Sequence, residues 1–308
     1  MYHLSVSVFG LSEGAPSVVA GGRQVKSNAF GGFCAACSAH VDAGDGAHLG
    51  TPGRGRTWCL ACSPTPPDRG RHDGWHRVPL ASLDFETTGV DTHHDRVLSF
   101  ALLDQFGVET TGLVDPGVPI PRESAEVHGI TEAMLAEAPT SAEGLRVVVD
   151  WVQSLVERQV GLVVFNAAFD LTMLRAEATR LGLTQPDWSR LLVVDPFVVD
   201  WGIERGAPGP PVGVPGVRRQ MRSRRLVDVA SYYGIPILNA HDATCDARAA
   251  REVAVELGAR HVRIGATTLL ELMVDQRTWH AERALEWNAY AASKGRPPDD
   301  PGGWPLAG

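Results

Sequence analysis

The residue pattern predicts a mixed α/β fold, one sheet with helices on both faces, preceded by a small cysteine-bearing module. Three observations carry this expectation. Apolar runs broken by turns fill 78–116, apolar strands alternate with helix-spaced segments from 142 onward, and two CxxC pairs sit in a first 63 residues that lack helical periodicity.

In chain order, residues 1–63 form the module, rich in Gly, Ala and Ser. SPTPPDRGRHDGWH (63–76) mixes Pro, Gly and charge, so 64–77 reads as a linker. A buried strand covers 78–84, and 96–105 and 107–116 are two more strands joined by a turn around Asp104 to Gly107, giving an antiparallel meander. Thr131 is a candidate N-cap, and AEGLRVVVDWVQSLVER (142–158) has the apolar spacing of a helix. VGLVVF (160–165) is a buried strand, 167–181 a helix capped by Asn166 and ended by Gly182, and 190–198 another strand. Helices follow over 223–233, ending at Gly234, and over 242–257, ending at Gly258. A domain of 78–260 results. The extension 261–308 carries an amphipathic helix (276–293) and the end GGWPLAG, docking through Trp279, Leu285 and Trp287. No internal repeat is visible. Residues 203–222 are Pro/Gly-rich and too long for a simple connector, which marks a functional loop.

With 308 residues, 44% hydrophobic, the chain has material for two unequal soluble domains. Its net charge of -8 disfavours adhesion of the whole molecule to nucleic acid or anionic membrane, so basic patches must be local. The start MYHLSVSVFGLSEG lacks a basic leader, and no run of about 18 apolar residues occurs, so the expected location is the cytoplasm. Four of the five cysteines form the CxxC pairs, which in that compartment points to metal binding rather than disulfides.

In ASLDFETTGV (81–90), Asp84 and Glu86 alternate with Phe85 on one strand and so share a face, with Phe85 pointing to the core. Asp170 follows a buried strand in the first turn of a helix, and Asp246 sits at a helix start already supplied with a cap in Asp242. Four acids brought together would repel strongly, and hard cations resolve the conflict. Two Mg²⁺ or Mn²⁺ ions roughly 4 Å apart activate a water and stabilise the leaving oxygen of a phosphodiester. His241, just outside the helix that carries Asp246, suits the general base for that water.

DFETTG (84–89), NAAFD (166–170) and HDATCD (241–246), in that order, resemble the three motifs of the DEDDh 3'-5' exonucleases, the family that includes the proofreading epsilon subunit of DNA polymerase III and RNase T. VHGIT (127–131) resembles the loop before the first helix in the epsilon subunit. The resemblance covers about 78–258 and implies an RNase H-like fold and stepwise release of 5'-mononucleotides from a 3' end. It implies Asp84, Glu86, Asp170 and Asp246 as metal-binding acids and His241 as general base, all intact. Thr87, His128, Asn166 and Phe169 would neighbour the terminal nucleotide, though each also has an ordinary structural use. The 203–222 region departs from the family pattern. The basic cluster of Arg218, Arg219, Arg222, Arg224 and Arg225 is the best candidate for phosphate contacts, against a solvated helix start.

Cys34, Cys37, Cys59 and Cys62, as FCAAC and WCLAC, match a zinc-ribbon pattern that closes one structural Zn²⁺ site. His40 or His48 could replace a thiol, and Cys245 reads as a small core residue. The expected function is a metal-dependent 3'-5' exonuclease acting on DNA 3' ends, with a polymerase or repair partner for the module. The alternatives are an RNA exonuclease and a nucleic-acid-binding polymerase-accessory protein.

Overall fold

The computed structural model describes residues 5–7, 26–28, 30–35, 37–49, 56–59, 72–206, 223–237 and 239–307. Strands β1 (Ser5–Ser7), β2 (Lys26–Ser27), β3 (Gly32–Phe33), β4 (His40–Val41), β5 (Gly46–Leu49) and β6 (Arg56–Cys59) precede the long β7 (Leu80–Thr87), β8 (Val97–Leu103) and β9 (Glu109–Leu113). Then come α1 (Arg122–His128), α2 (Glu132–Leu135), α3 (Ser141–Arg158), β10 (Gly161–Val163), α4 (Ala167–Arg180), β11 (Val193–Val194) and α5 (Pro196–Gly206). Helices α6 (Leu226–Tyr233), α7 (Ala243–Arg260), α8 (Val262–Gly265) and α9 (Leu269–Ala292) complete the chain.

The main sheet has the order β1-β9-β8-β7-β10-β11, antiparallel on the β1 side of β7 and parallel through β10 and β11. This is the mixed sheet expected, with an RNase H-like arrangement of flanking helices. Ala81, Leu83 and Phe85 of β7 enter one core with α3 and α4, while Leu80 enters a second core with α6 and α7. Period-two alternation therefore puts Asp84 and Glu86 on the α7 face. There Ala243 and Ala247 of α7 pack on Ala101, whose Cα partner across β7–β8 is Asp84. Small side chains at this contact let α7 approach the sheet closely and carry Asp246 to the end of β7.

Several elements differ from expectation for identifiable reasons. The segment 190–198 is strand only at Val193–Val194, because Asp195-Pro196 opens α5: Pro occupies the first helical position, and the Asp195 carboxylate accepts the Phe197 N–H at 3.1 Å. Helix α7 runs through Gly258, which stays helical and leaves room for His76: a Cβ there would collide with the His76 side chain. Helix α1, entered at Pro121 without a side-chain cap, had no start signal of the usual polar kind. Leu285 is 60% exposed, so it does not dock the extension; Trp304 does, at 5% exposure, together with half-buried Trp279. Cys245 is half-buried rather than core.

Of the expected linker, residues 72–77 pack against the end of α7 and against α8. The Trp75 indole donates to Ile264 O at 3.0 Å, and His72 and His76 contact Gly258 O and Gly265 O at 3.0 and 3.2 Å. Gly74, Gly258 and Gly265 make that crossing possible, since a Cβ on any of them would strike backbone or the His76 side chain. Among the described residues no helix is long and apolar enough to cross a membrane.

Candidate active site

Three carboxylates from two distant segments, Asp84, Glu86 and Asp246, present oxygens that all lie within 4.8 Å of one another. Asp170, at the first turn of α4, is buried beside them; the Phe85 amide donates to its carboxylate, and the negative charge of Asp170 acts on Asp84. The four sequence-expected acids thus converge, three as a compact group and Asp170 alongside Asp84.

Burial raises every one of the four, and neighbouring acids add to it. Burial first, then Asp170, Asp246 and Glu86, hold the Asp84 carboxyl well above the usual range. Burial, then Asp246 and Asp242, push Glu86 up to about 8. Burial also raises Asp170 well above, and Asp246 up, the latter opposed by the His241 backbone N–H, which donates to its Oδ2 at 3.2 Å. The other oxygen of Asp246, Oδ1, is buried and has no hydrogen-bond partner among the described residues. A buried carboxylate oxygen without a donor among the described residues, in a close group of three acids all raised above their usual range, is the donor set that a hard divalent cation satisfies, so these residues fit one.

Asp242, expected as a cap, does cap α7, accepting the Cys245 N–H at 3.0 Å, and adds its charge to the same acids. His241 precedes it with φ 66, exposed, in the left-handed region that His tolerates better than most residues. The turn aims the ring outward while its backbone holds Asp246.

The other expected residues line the same end of the sheet. Thr87 is the last residue of β7, and its hydroxyl donates to Gly89 O at 2.6 Å, so it shapes the turn. His128 ends α1; its Nδ1 accepts the Ile130 N–H at 3.0 Å, burial lowers its basicity most, and the His241 charge lowers it further, which puts the two imidazoles near each other. Ser124 donates to Thr88 O at 2.5 Å, fastening α1 to the loop after β7. Phe169 is half-buried against the core. Asn166 is exposed at φ 65 and makes no side-chain cap; Asp195 caps α4 in its place.

Arg218, Arg219 and Arg222 lie outside the described residues. Their neighbours belong to the scaffold: Arg224 is nearly buried between Asp200, at 3.4 Å, and Glu204, and Arg225 pairs with Asp228 at 2.7 Å. Arg224 and Arg225 are therefore not open phosphate sites, because each faces a carboxylate of this chain. Local spacing signals only the Arg225–Asp228 pair, which is i, i+3; Asp200 and Glu204 reach Arg224 from a distant segment and left no local signal.

In the N-terminal module, Cys34, Cys37 and Cys59 bring Sγ atoms within 4.8 Å of one another, and Cys37 and Cys59 stand 3.7 Å apart. Cys62 lies outside the described residues. His40 instead pairs with Asp42 at 3.3 Å and meets the Phe33 ring edge-on, and His48 lies on β5. The module touches the main domain where Asp45 meets His261 at 2.9 Å, the other nitrogen of that imidazole lying 3.2 Å from Tyr233 OH.

A family model described as Exonuclease matches residues 82–254, more than half of the chain. The chain is 30% identical over 181 residues to an uncharacterized exonuclease of Escherichia phage 186, covering 56% of this chain and 85% of that protein. It is 38% identical over 126 residues to a DNA polymerase III subunit epsilon-like protein of Rhodobacter capsulatus, covering 37% of this chain but only 17% of the relative. A DNA polymerase III PolC-type protein of Caldanaerobacter subterraneus is matched over only 12% of its length. Among solved structures, E. coli exonuclease I in complex with a dT13 oligonucleotide superposes with a TM-score of 0.50 at 21% identity, over 64% of this chain and 44% of that one. That likeness is one of fold.

Proposed function

The chain belongs to the exonuclease family, and from that premise we propose that it hydrolyses DNA stepwise from the 3' end, releasing 5'-mononucleotides. The observation that carries this reading is the convergence of Asp84, Glu86 and Asp246 within 4.8 Å, with an unpartnered Asp246 oxygen among them. The polymerase epsilon names of the R. capsulatus relative and of the Treponema pallidum protein, 27% identical over 79% of its length, favour DNA.

Asp84, Glu86, Asp170 and Asp246 would hold Mg²⁺ or Mn²⁺. Such ions, when bound, activate the attacking water and stabilise the leaving 3' oxygen. The chain's own groups do the rest. His241 takes the proton of the attacking water on its outward imidazole, and the hydrogen bond from its amide to Asp246 keeps ring and acid in one frame. Thr87, His128, Asn166 and Phe169 position the terminal nucleotide, and Arg218, Arg219 and Arg222 meet its phosphates. In the module, Cys34, Cys37, Cys59 and Cys62 hold one structural Zn²⁺, and a polymerase or repair protein is the partner proposed for that surface. The proposed division of the chain is 1–63, the linker 64–77, 78–260 and 261–308, with the exceptions that β1 (Ser5–Ser7) joins the sheet of 78–260 and 72–77 pack on α7 and α8; the proposed location is the cytoplasm.

The test is degradation of single-stranded DNA and RNA oligomers labelled at either end, with and without Mg²⁺. Shortening from the 3' end of DNA, dependent on Mg²⁺ and lost in Asp84→Ala, is expected. Intact 3' labels after prolonged incubation refute the activity, and faster loss of RNA refutes the substrate.

A further inference from the structure

Asp195 is fully buried, and all its bonding partners among the described residues are N–H groups rather than cations. Its Oδ1 accepts the Asn166 N–H at 2.9 Å and the Phe197 N–H at 3.1 Å; its Oδ2 accepts the Ala167 N–H at 2.9 Å and the Trp304 indole N–H at 3.2 Å. One carboxylate thus caps two helices at once, α4 and α5, and sits where both helix dipoles are positive. Its own amide donates to Gln276 Oε1 at 2.6 Å, and Gln276 Nε2 donates to Val193 O at 2.9 Å, so α9 fixes the strand end that carries it.

Helix α4 depends on this outside cap. Asn166, the residue at its cap position, is held in the left-handed region and offers no side-chain bond. Asp170 lies in the first turn that the cap controls, and a buried carboxylate moves with its backbone. The one side-chain donor among these, Trp304, comes from far along the sequence. The tail that delivers it is tied down along its length: Asn288 and Asp299 exchange bonds of 2.9 and 2.7 Å, His280 meets Asp300 O at 3.0 Å, and Ala307 donates to Thr172 Oγ1 at 2.8 Å. Thr172 and Arg175, which donates to Ala307 O, are both on α4, so the tail grips the helix bearing Asp170 at its cap and along its body.

We propose that the C-terminal tail is a positioning part of the active site: Trp304, by completing the donors on Asp195, sets the start of α4 and with it the placement of Asp170. The proposal deepens the nuclease reading and rests on Asp170 serving that centre. A plain packing role for Trp304 would need its ring only. A positioning role needs its N–H as well.

Trp304→Phe keeps the ring and removes the N–H. Expected are a turnover number down about tenfold, KM for a DNA oligomer within about twofold, and Mn²⁺ affinity, read by calorimetry or by the spin resonance of free Mn²⁺, weaker by about tenfold. Leu285→Ala, on the exposed face of α9, is the control expected to match wild type in all three. Wild-type turnover and Mn²⁺ affinity in Trp304→Phe overturn the proposal even if the variant melts earlier. Should Trp304→Phe not fold, Thr172→Val, which removes the second grip, is read in the same way, and unchanged Mn²⁺ affinity there overturns it. The nuclease reading fails separately: wild type that binds Mn²⁺ but cuts neither DNA nor RNA refutes it, while the Mn²⁺ comparison between wild type and variant still decides the role of the tail.

Discussion

The acid group at the end of β7 and the cysteine group of the N-terminal module both gather metal-type donors, yet they are held in opposite ways. Asp84, Glu86 and Asp246 ride on a long strand and a long helix whose apolar faces fill two large cores. Those cores hold like charges together against their repulsion. Cys34 and Cys59 share their core only with Val41 among the described residues, so the described part of the module buries little apolar surface. The lesson is that a cluster of metal-type donors is one the fold must tolerate at the end of β7 and, with the proposed zinc bound, one that would support the fold in the module.

Removing the zinc proposed for the cysteines is the harshest way to break that comparison. A strong chelator is expected to unfold the module, a change on the order of 10 kcal/mol, while the α/β domain keeps its helical circular dichroism. Hydrogen exchange at amides of β5 and β6 checks it, and protection that survives excess chelator would show that the module folds without metal. Next in size, Asp84→Ala is expected to cut nuclease turnover roughly 10³-fold while leaving the melting temperature in EDTA unchanged or higher, because a repelling carboxylate has gone. A lower melting temperature would mean that the acids support the fold after all.

A third, smaller effect is one of pH. Glu86 is raised from 4.5 to about 8 in the folded chain, so the folded state binds more protons than the unfolded state between those values. Stability of the metal-free protein therefore falls as pH rises through that window, Glu86 contributing on the order of 2 kcal/mol between pH 5 and 7 beside Asp84, Asp170 and Asp246, which are raised too, and Glu86→Gln makes the slope shallower by that share. Urea titrations in EDTA measure it; a slope equal in the variant assigns the effect elsewhere. Smallest is the seam between the two regions: Asp45→Ala is expected to loosen the module by about 1 kcal/mol through loss of the His261 pair, read as faster exchange in β5 with turnover unaffected.

Much of this was legible in the sequence where one rule acts alone. Alternation placed Asp84 and Glu86 on one face with Phe85 on the other, and Asp242 read correctly as the cap of α7. The parts that escaped depend on contacts between distant segments. Asp195-Pro196 has the form of a helix start, yet its neighbours Val193 and Val194 favour strand, and nothing local reveals that its carboxylate also caps α4. Trp304 lies in a Gly/Pro-rich end, where an aromatic gives no periodic signal. Gly258 looks like a helix stop and is instead a point of close approach for His76, a partner far away in the chain.

The crossing at Gly74, Gly258 and Gly265 bears on how the protein can be divided at the bench. Trp75 is 1% exposed and belongs to the core shared by α6 and α7. A recombinant nuclease fragment begun at residue 78 would leave that slot empty, an apolar hole costing about 3–5 kcal/mol. One begun at residue 72 keeps the plug, and proteases that trim the chain from its N-terminal side should stall there, where three glycines leave no room for backbone to move.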